Sequence, residues 1–514
     1  MSPVVLDRSS GVPLYRQLRA SLEQDILAGR LGAESRLPSS RELAASLGIS
    51  RNTVVTAYQE LIAEGYVTPL ARSGLAVNAE LRQVLPPAEN RFDWDARLAP
   101  ILDADLPISH RPRDWQRYRY PFLSGQPSSD LFPQRAWQRA LRAALEGDSF
   151  WPSLSDLGDA DDPLLVEALC RHILPARGID ADPSQVLVTL GSQQGHALVA
   201  GELLGPGRRL AVEVPGYPDL WHIAVRTGAS LMAIPVDGGG MVPGPELLSC
   251  DAVAVTPSHQ YPTNVTLTVG RRRQLLDASP DLVIVEDDYD AEFRYAGSPT
   301  PALKALDRRG QVVYLGSFSK FLAPGLRLGF LVADARLVAA LRERRRFQVR
   351  HAPGQQQRAL ALLITSGDYA RALRRARTIL RDRWRRTVAA VETHLGWGPA
   401  FGDTFPAGGT ALWVVGPPEL NSRALAAAAR GRGVLIEPSD TYHLGAERQR
   451  NAIRLGFASV PTDLIEPGLA ALAAAWSVRR DGHGSSRSGR SVLSEPARQG
   501  SRHRDGKSRP QVAR

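Results

Sequence analysis

The chain has 514 residues, 43% of them apolar, and a formal net charge of +10. The length exceeds one ordinary domain and predicts two or three, and the composition is that of a globular protein with ample core. No apolar run is long enough to cross a bilayer, no basic-then-apolar leader opens the chain, and Cys170 and Cys250 stand far apart in apolar surroundings. A cytoplasmic protein with buried free thiols and no membrane partner is therefore expected. The positive charge invites a nucleic-acid reading. Residues 479–514, however, hold ten basic and three acidic residues among Ser and Gly, so a disordered basic tail supplies most of the excess.

From the N-terminus, Leu14, Leu18, Leu22, Ile26 and Leu27 recur at helical spacing over residues 12–30. After a break at 29–38, Ser39 followed three residues later by Glu42 forms a capping box for a second helix, which buries Leu43, Ala44 and Leu47 and ends at Gly48. Ser50 caps a third helix over 51–64, with Val54, Ala57, Tyr58, Leu61 and Ile62 on its apolar face and Arg51, Asn52 and Thr53 exposed in its first turn. Residues 66–77 read as a short hairpin. Two short helices joined by a Gly-containing turn, then a hairpin, form a winged helix-turn-helix pattern. The third helix then enters the major groove of double-stranded DNA. Arg51 and Asn52 suit guanine and adenine edges, while Arg36, Arg41 and Arg72 would meet phosphates or flank the groove. The other reading is a small protein-binding helical domain with surface arginines.

Periodicity fades over residues 78–119, where Pro86-Pro87, Pro100, Pro107 and Pro112 break any helix. A connector between separate domains is expected, with one short helix at most. Beyond it an amphipathic helix at 137–145 is followed by strands at 186–190, 209–214, 231–236, 252–255, 282–285 and 311–315 in alternation with helices. Continuous apolar strands in β-α alternation predict a buried, mostly parallel sheet. From about 368 helices dominate, with later strands at 412–415 and 453–455, which predicts a smaller C-terminal α+β subdomain.

The chemistry gathers at strand ends, where open α/β sheets bind ligands. Lys320 follows the strand 311–315 at once, in a chain whose only other lysines are Lys304 and Lys507. Unlike arginine, a lysine amine can be deprotonated and form an imine with a carbonyl; the alternative is a surface lysine after a strand. Gly191-Ser192-Gln193 sits between a strand and a helix, a place for an anion. Ser317 and Arg327 bracket Lys320 and can complete a phosphate cup. Asp287 ends another strand, where a carboxylate can keep a pyridinium nitrogen protonated. Tyr289 can reach a phenolic oxygen of the same ring, and Tyr217 can stack on its face. Glu286-Asp287-Asp288 offers a weaker alternative as a Mg²⁺ site. Arg454 can clamp a carboxylate bidentately.

Leu37-Pro38-Ser39-Ser40-Arg41-Glu42-Leu43-Ala44, Ser50-Arg51-Asn52-Thr53-Val54 and Glu64-Gly65-Tyr66 resemble the GntR-type winged-helix domain of bacterial regulators. Glu213-Val214-Pro215-Gly216-Tyr217, Thr256-Pro257-Ser258-His259-Gln260-Tyr261-Pro262-Thr263, Glu286-Asp287-Asp288-Tyr289 and the stretch around Lys320 resemble a fold-type I, aspartate-aminotransferase-like domain. In this order they resemble the MocR family of transcriptional regulators. The resemblance implies a winged helix at 11–79, a linker at 80–119, a pyridoxal 5′-phosphate (PLP) domain at 120–478 and a head-to-tail homodimer. It implies the cofactor as an imine on Lys320, with Asp287 at the ring nitrogen, Tyr289 at the phenolic oxygen, Tyr217 on the ring, and Ser192, Gln193, Ser317 and Arg327 around it. Arg454 would hold the carboxylate of a small amino-compound effector, and Arg36, Ser39, Arg41, Ser50, Arg51, Asn52, Thr53 and Arg72 would face promoter DNA. The chain departs from the family at Asn264, at residues 158–166 and at Thr410-Ala411. A working aminotransferase with an appended DNA-binding domain is the alternative function.

Overall fold

The computed structural model describes residues 4, 6–70, 74–83, 93–94, 96–98, 106–109, 112–297, 300–445 and 449–484. The chain divides into two compact units, Met1–Ile101 and Leu102–Arg514. Arg72 and residues 485–514 lie outside the described residues. No helix among the described residues is long and apolar enough to cross a membrane.

In the first unit, α1 (Leu14–Leu27), α2 (Ser40–Leu47) and α3 (Arg51–Ala63) enclose a core of Leu18, Leu22, Leu43, Val54, Ala57 and Leu61. Leu27, counted on the apolar stripe, is instead exposed. The capping box forms in both directions: Ser39 Oγ accepts from the Glu42 amide and Glu42 accepts from the Ser39 amide at 2.9 Å. Gly48 then takes the left-handed conformation that ends α2. Tyr58 of α3 donates its hydroxyl to Pro38 O at 2.9 Å, which ties α3 to the entry of α2. The expected hairpin, β2 (Val67–Pro69) with β3 (Leu75–Val77), gains a third strand, β1 (Arg36–Leu37), paired to β3. A two-residue strand carries no periodicity, so the sequence does not disclose it.

The second unit is built on an eight-stranded sheet. Its strands are β4 (Val186–Thr189), β5 (Arg209–Val214), β6 (Ser230–Asp237), β7 (Gly240–Met241), β8 (Ala252–Val255), β9 (Val283–Asp288), β10 (Val312–Ser317) and β11 (Gly329–Val332), in the order β4-β11-β10-β9-β8-β5-β6-β7. The central run is parallel, as the apolar strands predict, but β11 is antiparallel to both β10 and β4. It lies directly after the loop that carries Lys320 and Arg327. A second, antiparallel sheet has β12 (Gly398–Pro399), β13 (Ala411–Val415), β14 (Glu437–Pro438) and β15 (Ala452–Gly456) in the order β12-β13-β15-β14. The last helix, Ile465–Gly484, corrects one boundary: residues 479–484, expected in the basic tail, continue the helix. Val478-Arg479-Arg480-Asp481 offers no breaker until the glycines at 482 and 484. Cys170 and Cys250 are free but half-buried rather than fully buried.

The departure at 158–166 has a structural account. Asp161 is buried and accepts from Arg345 Nη1 at 2.5 Å, from Arg342 Nη1 at 3.0 Å and from the Val188 amide at 3.1 Å. Asp162 accepts from Arg358 Nε at 2.6 Å and caps the following helix through the Leu164 amide. Buried carboxylates thus arrive with their own arginines, and one of them is joined to strand β4. Removing one partner of a buried pair leaves an uncompensated charge, so Asp161→Ala is expected to destabilise the second unit by about 3–5 kcal/mol in denaturant unfolding. Arg345→Met, which leaves Asp161 with Arg342, is expected to cost less.

Candidate functional site

At the C-terminal ends of the parallel strands lies a cavity of about 260 Å³ whose wall includes Ser192, Gln193, Tyr217, Asp287, Tyr289, Ser317, Lys320 and Arg327. Strand pairing brings these residues together. Strands β9 and β10 are parallel in the register Asp287↔Leu315 and Asp288↔Gly316, which places Asp287 beside the strand that leads to Lys320. Alternation along β9 separates the acidic run. Glu286 accepts from the Leu303 and Lys304 amides at 2.7 and 2.8 Å, and Asp288 accepts from Arg177 Nε at 2.7 Å and Tyr314 Oη at 2.9 Å. Asp287 meets His196 instead, Oδ2 to Nε2, at 2.9 Å. The three carboxylates therefore do not converge, and no metal-binding cluster forms among the described residues.

Two buried polar atoms here have no partner, Asp287 Oδ1 and the Tyr289 hydroxyl. Such atoms are rare in folded proteins and call for a ligand or a functional reason. Lys320 Nζ lies 5.6 Å from the centre of the Tyr289 ring. Behind Asp287 stand two residues the sequence reading missed. His196 is buried one turn into the helix Ser192–Leu203. Glu213 accepts from the Thr256 amide and hydroxyl at 3.1 and 2.5 Å, and burial pushes its carboxyl up to about 7 against those bonds. A histidine on the buried face of an otherwise apolar helix was the signal available for the first.

Ser192 and Gln193 of the wall open the helix Ser192–Leu203, which begins without a side-chain cap. Gly191 precedes it at φ 93°, and a Cβ there would meet the Arg327 guanidinium at 3.2 Å. Arg327 is itself left-handed, φ 49°, an uncommon state for a residue with a side chain and one that clusters at functional sites. From it Nη2 donates to Leu190 O at 2.6 Å. Ser317 Oγ accepts from the Ser319 amide at 3.2 Å. Tyr217 stands at the start of the helix Pro218–Val225, edge-on to Tyr261, with its hydroxyl on Asp219 at 3.1 Å.

Arg454 falls outside this set. It is 1% exposed, and its guanidinium carbon lies 3.9 Å from the centre of the Tyr261 ring. Tyr261, not Arg454, lines the cavity. Asn264, one of the departures, adopts φ 65° and donates its amide to Gly408 O and Ala411 O. It thus touches the other departure, Thr410-Ala411. The wall also holds a residue from the connector, Ser109. Two residues earlier, Pro107 O meets His222 Nε2 at 3.2 Å.

In the first unit Arg36, Arg41, Arg51 and Asn52 are exposed. Arg51 Nε donates to Ser40 Oγ at 3.3 Å. The Ser39 and Ser50 hydroxyls serve as helix caps, and Ser50 also meets Thr53 Oγ1 at 2.8 Å.

Residues 14–77 match the bacterial regulatory proteins of the gntR family, and residues 122–472 match aminotransferase class I and II. The chain is 43% identical to the HTH-type transcriptional regulator TauR of Rhodobacter capsulatus, over 90% of this chain and 96% of that one. It is 33% identical to the probable rhizopine catabolism regulatory protein MocR of Rhizobium meliloti, over 92% and 96%. Among solved structures, a kynurenine aminotransferase of Pyrococcus horikoshii, in complex with PMP, matches with a TM-score of 0.66 at 26% identity, covering 77% of this chain and 99% of that one. Both halves and their order are accounted for: the chain belongs to the MocR-type transcriptional regulators, a gntR-family helix-turn-helix joined to an aminotransferase class I and II domain.

Proposed function

We propose that this regulator binds pyridoxal 5′-phosphate at Lys320 and reads a small amine there as its effector. The carrying observation is the pair of unpartnered buried atoms, Asp287 Oδ1 and the Tyr289 hydroxyl, in one cavity with a lysine and an anion cup. Those atoms fit the ring: Asp287 accepts from a protonated ring nitrogen, and Tyr289 donates to the phenolic oxygen. Gly191, the free amides at Ser192 and Gln193, Ser317 and Arg327 hold the phosphate dianion. When bound, the cofactor supplies an aldehyde carbon that exchanges between amines. Lys320 provides the resident amine, and Tyr217 covers the ring.

A regulator rather than a dedicated transaminase is favoured by the regulator relatives and by the wall itself. Ser109 belongs to the connector that leads back to the DNA-reading unit, so a change in the cavity meets the chain that tethers that unit. Arg51, Asn52 and Thr53 are proposed to face base edges, with Arg36, Arg41 and Arg72 at phosphates. A homodimer would pair two such readers. It is supported by Trp151 and Phe347, which are 70% and 80% exposed, on segments joined by the Asp156–Arg350 ion pair.

The purified chain with added cofactor is expected to show the long-wavelength absorbance of lysine-bound pyridoxal phosphate, and Lys320→Ala to lack it. No such band in the wild type overturns the assignment. On duplex DNA, Arg51→Ala is expected to cost about 1–3 kcal/mol and to relax sequence preference, by fluorescence anisotropy. Arg41→Ala is expected to weaken all sequences alike and lower the salt slope by about 1.

A further inference from the structure

The DNA-reading unit carries no surplus of positive charge. Residues 1–101 hold eleven arginines and eleven acidic residues, a formal charge of zero. Two of those arginines, Arg19 and Arg30, are paired with Glu64 and Asp25. Affinity for duplex DNA comes largely from phosphates neutralised by cationic side chains. A neutral reader therefore leaves room for a second source of charge.

The helix Asp368–His394 has that surplus, with eight arginines against three acidic residues in 27 positions. Half of the eight have protein partners. Arg383 is buried and donates to Asp130 Oδ2 at 2.7 Å and Ala458 O at 3.0 Å. Arg371 and Arg386 take the helix's own Asp368 and Asp382 at 2.7 and 2.9 Å, and Arg377 donates to Glu292 O at 2.6 Å. Arg374, Arg375, Arg381 and Arg385 remain. All four are exposed, and none has a partner for its guanidinium among the described residues.

Three of the four form a stripe. Arg374, Arg381 and Arg385 recur at i, i+7 and i+11, which sets them within about 40° on one face and along about 16 Å of the axis. Like charges at i, i+4, as in Arg381 and Arg385, repel and weaken a helix. A polyanion laid along the face removes that repulsion. One DNA strand presents a phosphate about every 3.4 Å, so a stripe of this length passes roughly five of them. The arginine fork suits each one, because it can hold two phosphate oxygens at once.

We propose that Arg374, Arg381 and Arg385 form a second DNA contact, on the aminotransferase-like unit, which takes backbone phosphates of a duplex and reads no bases. The inference goes beyond the cofactor reading and does not depend on it.

The full chain is titrated, over a range of salt concentrations, with two labelled duplexes of equal length. One carries the sequence that the protein itself enriches from a random pool, and the other carries that sequence scrambled. The combined Arg374→Gln, Arg381→Gln and Arg385→Gln variant is expected to show a salt slope shallower by about 2–3, close to one for each lost phosphate contact. Both duplexes are expected to weaken by the same factor, so the ratio between them is unchanged. Lysine at the same three positions is expected to keep the wild-type slope, because the charge stays. Circular dichroism checks that each variant is folded. A wild-type slope in the glutamine variant overturns the inference and leaves the stripe solvated or open to an acidic protein. A loss confined to the enriched sequence, or an equal loss with lysine, also overturns it, since the first marks an effect on the reader and the second an effect of shape rather than charge. A wild-type chain that binds neither duplex removes the DNA reading of the first unit and this inference with it.

Discussion

The site depends first on a register. Strands β9 and β10 run parallel with Asp287 beside Leu315. A slip of one residue would turn Asp287 to the opposite face, where Asp288 now meets Arg177, and would put an already paired carboxylate toward the cavity. The register is fixed by apolar strands buried on both faces and by helix packing against them. A Cβ at Gly195 would meet the Leu315 side chain at 2.9 Å, so the helix that carries Ser192 and His196 lies close on the lysine strand. Asp287, the start of the helix at Ser192 and the strand that leads to Lys320 are thereby set by one sheet and one helix, which are more rigid supports than loops.

Much of this was legible because local rules carried it. The capping box at Ser39 and Glu42, the left-handed Gly48 and the continuous apolar strands each follow from a few adjacent residues. The eight cofactor candidates lie at strand or helix ends, where spacing is informative. What escaped depends on partners distant in sequence. Glu437 and Arg454 are both plain in the chain, but only the antiparallel pairing of β14 and β15 sets one directly opposite the other. Asp161 and Asp162 lie in the stretch that departs from the family, and their arginines come from helices almost two hundred residues later. Strand β11 was hidden because its four residues follow a loop rather than a helix, against the β-α alternation that found the others.

The cavity and the surroundings of Arg454 differ in character. Ser192, Gln193, Asp287, Tyr289, Ser317, Lys320 and Arg327 line one cavity. Beside the cavity, the Ser124 hydroxyl accepts from Arg454, the Tyr261 ring lies against its guanidinium, and Asn264 donates to Gly408 O and Ala411 O. For a regulator, a bound small molecule has to favour one state of the protein over another. The connector residue Ser109 is where such a preference has a covalent path to the reader.

The most direct measurement is the thermodynamic coupling between the two ligands. Duplex DNA enriched from a random pool by the protein itself is titrated with the cofactor-loaded chain, with and without a saturating amine. The amine is then titrated with and without that DNA. The account requires both affinities to change by one common factor, on the order of 5–150-fold, and Lys320→Ala to abolish the change. Amine exchange that proceeds while DNA affinity stays the same would contradict it.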